Sequence, residues 1–325
     1  MSPQLADAPH FDSGRNAWIL SRYADVVAAL QEPRLRPPGP TEARDEAGRL
    51  QQRLEVQQAF SVVKLAEWQS QMETLADRAV DRLPSGRPVD LIVDYAKPWC
   101  LEVAILVTGA NPRDRDRLAE LSDAAFAAAG EPDNSTVQEH AAEAIAELQS
   151  ILQPTATPMA EPTFVGVAQT FSRLLGSGWL ALLEHPTEWA RLRAQPGLIP
   201  HAMEELLRHA GIVQSIVRRS TADLDFGGVR IAKGDRVLLM LAAANHDAAQ
   251  FSEPDRLDVT RQAAGHVALG AGRNSCAGSP LIRTAAGIAT AALVAKFAGA
   301  ELTDGVAWCS GSRFRWPVTV PVILR

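Results

Sequence analysis

"HVALGAGRNSCAGSPLIR", residues 266–283, sets one cysteine in a glycine-rich loop directly ahead of an apolar helical pattern. The other two cysteines, Cys100 and Cys309, are distant in sequence, so Cys276 fits neither a disulfide framework nor a zinc knuckle. Phosphate-loop and dinucleotide readings fail on spacing, because no Gly-Lys-Ser/Thr follows the glycines and the third glycine is too far from the pair. Three readings of the sulfur remain. It is a buried structural cysteine in a turn, or a nucleophile whose thiolate is favoured by a helix start, or the axial thiolate of a heme iron. The second needs a base that the sequence does not place. The third uses every feature of the loop: Gly270, Gly272 and Gly278 allow close approach to a flat macrocycle, and free amides at the helix start favour negative sulfur. Pro280 suits the first helical turn, where a missing N–H costs nothing.

Outward from this loop most of the chain carries a helical period. "SRYADVVAALQEPRL", "EAGRLQQRLEVQQAF" and "AEWQSQMETLADRAVDRL" are predicted helices, the last ending at "PSGRP". Two more are parted by "GANPRD", and "DNSTVQEHAAEAIAELQSIL" runs into the proline-broken "QPTATPMAEP". "TFVGVAQTFSRLLGSGWLALLEHP" and "GLIPHAMEELLRHAG" are again helical. "ADLDFGGVRIAKGDRVLLMLA" reads as a β-hairpin and "ELTDGVAWCSGSRFRWPVTVPVILR" as short closing strands. The expectation is one mainly α domain over residues 1–325 with a small β region.

Composition narrows the function. The 325 residues are 46% hydrophobic, enough for a large core, and the net charge of -6 with interleaved signs points away from nucleic acid. No apolar run approaches the ~20 residues of a membrane helix, and the first residues lack a secretion signal. A cytoplasmic protein is expected.

Two further segments stand in a fixed order with the cysteine loop. Glu205 and Arg208 in "MEELLRH" share a helix face at i, i+3, and "ANHDAAQFSEPDRLDVTR" carries Arg261. Together with Leu269-Gly270-Ala271-Gly272-Arg273-Asn274-Ser275-Cys276-Ala277-Gly278, these segments resemble cytochrome P450, the heme-thiolate monooxygenase family. The resemblance runs from about Trp18 to the last strand. It implies heme b (iron protoporphyrin IX) with Cys276 as axial iron ligand, and a structural Glu205–Arg208–Arg261 network. It also implies a cofactor seat of Arg49, Arg53, Arg218, His266, Leu269, Gly270, Gly272, Asn274 and Gly278. Arg219 is the alternative to Arg218 if the register slips by one. Gly166-Val167-Ala168-Gln169-Thr170 aligns with the oxygen-activating helix, with Thr170 and Gln169 as catalytic positions. Against this stands a Thr170 merely bonded to its own helix backbone.

The chain also departs from the family pattern. Parts of the N-terminal region, the substrate-covering loop and the segment before the oxygen-activating helix are expected to be missing, so that the distal side is open or covered by a partner protein. Asn274 stands for a basic residue, Leu269 for an aromatic, Val167 for the glycine where the helix opens, and Gln169 for the relay acid. An amide cannot shuttle protons as a carboxylate does. The leading reading is a monooxygenase acting on a small organic molecule in specialised metabolism, with a ferredoxin-type electron donor. Peroxide-driven or Lewis-acid rearrangement and cyclisation chemistry is the alternative, and a non-catalytic partner-binding module the third.

Overall fold

The period in "YADVVAALQ" becomes helix α1, Tyr23–Gln31, which buries Val26, Ala29 and Leu30. The computed structural model describes residues 8–38, 46–131, 134–155, 160–303, 305–311 and 313–325. Strands β1 (His10–Asp12) and β2 (Ala17–Leu20) precede α1, and β3 (Leu35–Arg36) follows it. Helices α2 (Glu46–Ala59) and α3 (Val62–Asp81) lead to β4 (Pro88–Asp90). A π turn over Leu91–Ala96 continues into α4, Lys97–Thr108, which Gly109 ends in the left-handed conformation at φ 69°. Then come α5 (Arg115–Gly130) and α6 (Ser135–Leu152), the latter capped by the Asn134 side chain accepting from the Val137 N–H.

The central helix has three parts: α7 (Ala160–Val165), a π turn (Gly166–Phe171) and α8 (Ser172–Glu184). Beyond it lie α9 (Pro186–Ala194), α10 (Ile199–Ala210), strands β5 (Ile216–Ser220), β6 (Leu224–Phe226), β7 (Val229–Ile231) and β8 (Arg236–Leu239), and the short α11 (Leu241–Asn245). The chain closes with α12 (Ser279–Lys296), β9 (Ala300–Leu302), β10 (Trp308–Ser310), β11 (Arg315–Pro317) and β12 (Pro321–Leu324).

Two sheets and two hairpins flank the helices. The five-stranded sheet has the order β1-β2-β8-β5-β3, with β2 parallel to β8 and β5 antiparallel to it. A three-stranded sheet runs β4-β12-β9, and β6-β7 and β10-β11 are hairpins. The core sits among α3, α4, α8, α10 and α12, where Tyr95 and Trp179 stack at 5.0 Å. Their polar ends are satisfied: Tyr95 donates to the Ala289 carbonyl at 2.8 Å and Trp179 to Thr290 Oγ1 at 3.0 Å. A Cβ at Gly176 would come 2.4 Å from Ile92 Cγ1, so only glycine lets α8 lie this close to the first π turn.

The mainly helical expectation holds, with corrections. The N-terminal sheet expected to be largely missing is present as β1 and β2, whose register sets Trp18 opposite Val237. "ADLDFGGVRIAKGDRVLLMLA" is not one hairpin, because β8 leaves β6 and β7 to join β2 and β5. The connections expected to be short include residues 39–45 and 156–159, which lie outside the described residues. Among the described residues no helix is long and apolar enough to cross a membrane.

Candidate active site

The cysteine loop is shaped by two left-handed glycines and one short hydrogen bond. Gly270 has φ 70° and Gly272 φ 65°, values a side chain resists, and the Cys276 N–H donates to the Leu269 carbonyl at 2.7 Å. Gly272 is needed for a second reason. A Cβ there would come 3.1 Å from the Leu30 carbonyl at the end of α1, so this glycine presses the loop onto the N-terminal helix rather than onto a macrocycle. Gly278 lies beside the sulfur, and its amide N–H bonds to Cys276. Burial pushes the Cys276 thiol up, against the opposing pull of that N–H, Arg53 and Arg283.

Cys276 opens into a cavity of about 470 Å³ whose walls come from helices, the five-stranded sheet and the cysteine loop. Arg53, Arg218, Leu269, Gly270, Asn274 and Thr170 line it, so most of the expected site residues converge on one space. Arg53 reaches from α2 and donates Nη1 to the Ser275 carbonyl and Nη2 to Ser275 Oγ, both at 2.8 Å, which clips the sulfur loop. Strand alternation resolves the arginine register: Arg218 is 6% exposed and faces the cavity, whereas Arg219 is exposed and bonds the Gly234 carbonyl. Among the described residues no carboxylate pairs with Arg218, and burial alone pulls its guanidinium down to about 10. The side chain of Arg49 lies outside the described residues.

The opposite wall is the π turn of the central helix. Gly166 and Thr170 face the cavity, while Val167 is buried in the core and 7% exposed. The expected loss of the helix opening through Val167 is therefore corrected, because the helix widens here with Gly166 at the open face. The Thr170 hydroxyl makes no hydrogen bond among the described residues, in contrast to that of Thr108, which donates to the Ala104 carbonyl at 2.6 Å. Gln169 does not line the cavity. Its Nε2 donates to Ser122 Oγ and its Oε1 accepts from Arg173, both at 2.8 Å. It ties helices together and does not occupy a relay position.

Behind the site, Glu205, Arg208 and Arg261 form one buried network. Arg208 meets Glu205 through Nε–Oε2 at 2.7 Å and Nη2–Oε1 at 2.9 Å, with both side chains fully buried. Arg261 Nε adds a bond to Glu205 Oε1 at 3.0 Å, and the spare Arg208 Nη1 donates to the Asn245 and Pro254 carbonyls.

A family model described as Cytochrome P450 matches residues 191–304. Cytochrome P450-SU2 of Streptomyces griseolus is 31% identical over 325 aligned residues, which cover 86% of this chain and 80% of that protein. The chain is a cytochrome P450. It is equally similar to the vitamin D(3) 25-hydroxylase of Pseudonocardia autotrophica, at 32% identity with 86% of this chain and 80% of the relative covered. In fold it matches the cytochrome P450 enzyme CYP109B1 from Bacillus subtilis with a TM-score of 0.88 at 22% identity, covering 98% and 96% of the two chains. It is thus an enzyme of the P450 monooxygenase type. The non-oxidative and non-catalytic readings gain no support from these relatives.

P450 membership implies a heme, and the cavity fits one. A single sulfur, two guanidiniums and otherwise mainly apolar walls suit a flat metal macrocycle with two carboxylate tails. Arg218 carries the fit test, since among the described residues no carboxylate pairs with this buried cation, and an anionic group bound in the cavity would neutralise it. Three expected P450 seat residues, Gly272, Gly278 and His266, are not among those lining the cavity. The Nδ1 of His266 accepts from the Ala268 N–H at 3.2 Å, and its Nε2 lies 3.2 Å from Glu204 Oε2.

Glu204 also meets Arg283 Nε at 2.6 Å. Burial pushes its carboxyl up, but His266 and Arg283 outweigh that and hold it at about 2. A carboxylate depressed on folding stabilises the protein above its unfolded value of 4.5, and the gain is lost as pH falls towards 2. Urea midpoints of the parent and Glu204→Gln are expected to differ by on the order of 1–2 kcal/mol at pH 6 and to converge near pH 2. A pH-independent difference contradicts this.

The site residues that sequence reading missed are apolar wall positions such as Phe171, Leu174, Ile212 and Ile216. Their signal was only the ordinary apolar pattern of core residues.

Proposed function

We propose that residues 1–325 form a single heme-thiolate domain that inserts oxygen into a small, mainly apolar organic molecule of specialised metabolism. One observation carries this reading: Cys276, Arg53, Arg218 and Thr170 line the same cavity from four separate parts of the chain. Cys276 would hold the iron, and Arg53, Arg218 and Asn274 would hold the propionates. Bound there, heme b would supply the oxygen-activating chemistry.

The chain's own groups divide the remaining work. The Gly278 N–H and Arg53 favour charge on the sulfur, while the apolar Phe171, Leu174, Ile212 and Ile216 exclude water and orient an apolar substrate. Thr170 Oγ1, free of any bond to its own helix, is able to donate or accept a proton on the distal wall. Gln169, locked to Ser122 and Arg173, would not pass protons to Thr170. A ferredoxin-type protein would supply electrons, and the cytoplasm is the proposed location. Two relatives, a vitamin D(3) 25-hydroxylase and a nocardicin C N-oxygenase, support oxidation of small organic molecules.

The test is heme uptake followed by turnover with reductant and ferredoxin against turnover with peroxide alone. Retention of heme and faster reductant-driven oxidation of an apolar probe are expected. Arg218→Met is expected to weaken heme affinity by roughly tenfold or more, since a charge-assisted bond is worth ~1.5–3 kcal/mol. Unchanged affinity removes Arg218 from the cofactor seat.

A further inference from the structure

We propose that Arg173 is a positioning residue whose guanidinium holds open the π turn that presents Gly166 and Thr170 to the cavity. This rests on the reading of that cavity as the oxygen-activating site.

The guanidinium is inserted between two other parts of the fold. It sits 4.2 Å from the ring centre of Phe126 on α5 and 5.7 Å from that of Trp316 on β11, with its side chain only 13% exposed. Nη1 donates to both the carbonyl and Oε1 of Gln169, each at 2.8 Å, and Nη2 lies 3.7 Å from Asp123 Oδ1. Ser172 Oγ donates to the same Gln169 carbonyl at 2.9 Å, and Gln169 Nε2 is anchored to Ser122 Oγ of α5.

One carbonyl inside the widened turn therefore takes two side-chain donors. Polar groups that intrude on the backbone ladder are a physical cause of local helix widening. The consequence is angular. Successive residues of a regular helix are ~100° apart, so closing the π turn by one residue would swing either Gly166 or Thr170 off the cavity wall. Methionine at position 173 fills the slot between the rings but gives no donors. Lysine keeps the charge but lacks the planar fork that stacks and bonds together.

The experiment compares Arg173→Met and Arg173→Lys with the parent chain. One arm is amide hydrogen exchange over residues 160–175. The other is imidazole binding to heme-loaded protein, followed through the ferric Soret band. Arg173→Met is expected to speed exchange over residues 166–171 by roughly tenfold, with α12 unchanged, and to shift imidazole affinity by about threefold or more. Arg173→Lys should lie between. Ser122→Ala, which frees Gln169 at its other end, should move both readouts the same way by less and serves if Arg173→Met does not fold. Exchange over 166–171 within about twofold of the parent would overturn the proposal, as would acceleration spread evenly over α5, α8 and α12, the pattern of a purely structural loss. If the parent chain takes up no heme, the reading of the cavity fails, and the exchange arm still decides the role of Arg173.

Discussion

Cys276→Ala is expected to abolish the red-shifted Soret band of the reduced carbon monoxide complex while leaving the far-ultraviolet circular dichroism of the chain intact. The sulfur is the one thiol lining the described cavity, and its surroundings are built for it. Gly278 offers an N–H, Arg53 adds positive charge, and the Cys276 backbone closes the loop onto Leu269 whatever the side chain. Removing the sulfur would therefore delete the proposed ligand and leave the scaffold standing. Of the other cysteines, Cys100 is fully buried in the core and does not line the cavity, so it cannot substitute. Spectra of heme-loaded parent and variant decide the matter. A red-shifted band that survives in Cys276→Ala would place the ligand elsewhere and undo the proposed chemistry.

The second large effect falls on stability. Glu205→Gln leaves Arg208, fully buried, and Arg261, largely buried, without their shared carboxylate. Breaking a buried ion pair from one side costs roughly 3–5 kcal/mol, because the surviving charge has no solvent to turn to. That is a large part of the ~5–15 kcal/mol that typically holds a domain folded. The loss should be felt at the site, since Arg208 also ties down the carbonyls of Asn245 and Pro254, and the Asn245 side chain accepts the Val267 N–H at the root of the cysteine loop. A urea midpoint shift equal to at least ~3 kcal/mol, with weaker heme retention, is expected. A shift below about 1 kcal/mol would mean that the network is dispensable.

The parts of this site legible in the sequence were those whose chemistry is local. A lone cysteine among glycines, a Glu and Arg at i, i+3, and helices with a 3.6-residue period all carry their meaning within a few residues. What failed to show were features set by the path of the chain. Val167 looked like a blocked opening because it stands where the aligned motif carries a glycine, and the π turn gives the open face to Gly166. Gln169 looked like a damaged relay because its partners, Ser122 and Arg173, are a helix away and a turn away. His266 looked like a cofactor ligand until the fold set Glu204 beside it. The strands β1 and β2, of three and four residues, are too short to leave an alternation that can be read.

The contact of Gly272 with the end of α1 has a further meaning, strengthened by Tyr23, which donates its hydroxyl to the Gly265 carbonyl at 2.7 Å and its backbone N–H to Asp247 Oδ2 at 2.8 Å. The first helix and the sulfur loop brace one another although more than two hundred residues separate them along the polypeptide. During synthesis α1 must wait for these partners until the chain has grown by more than two hundred residues.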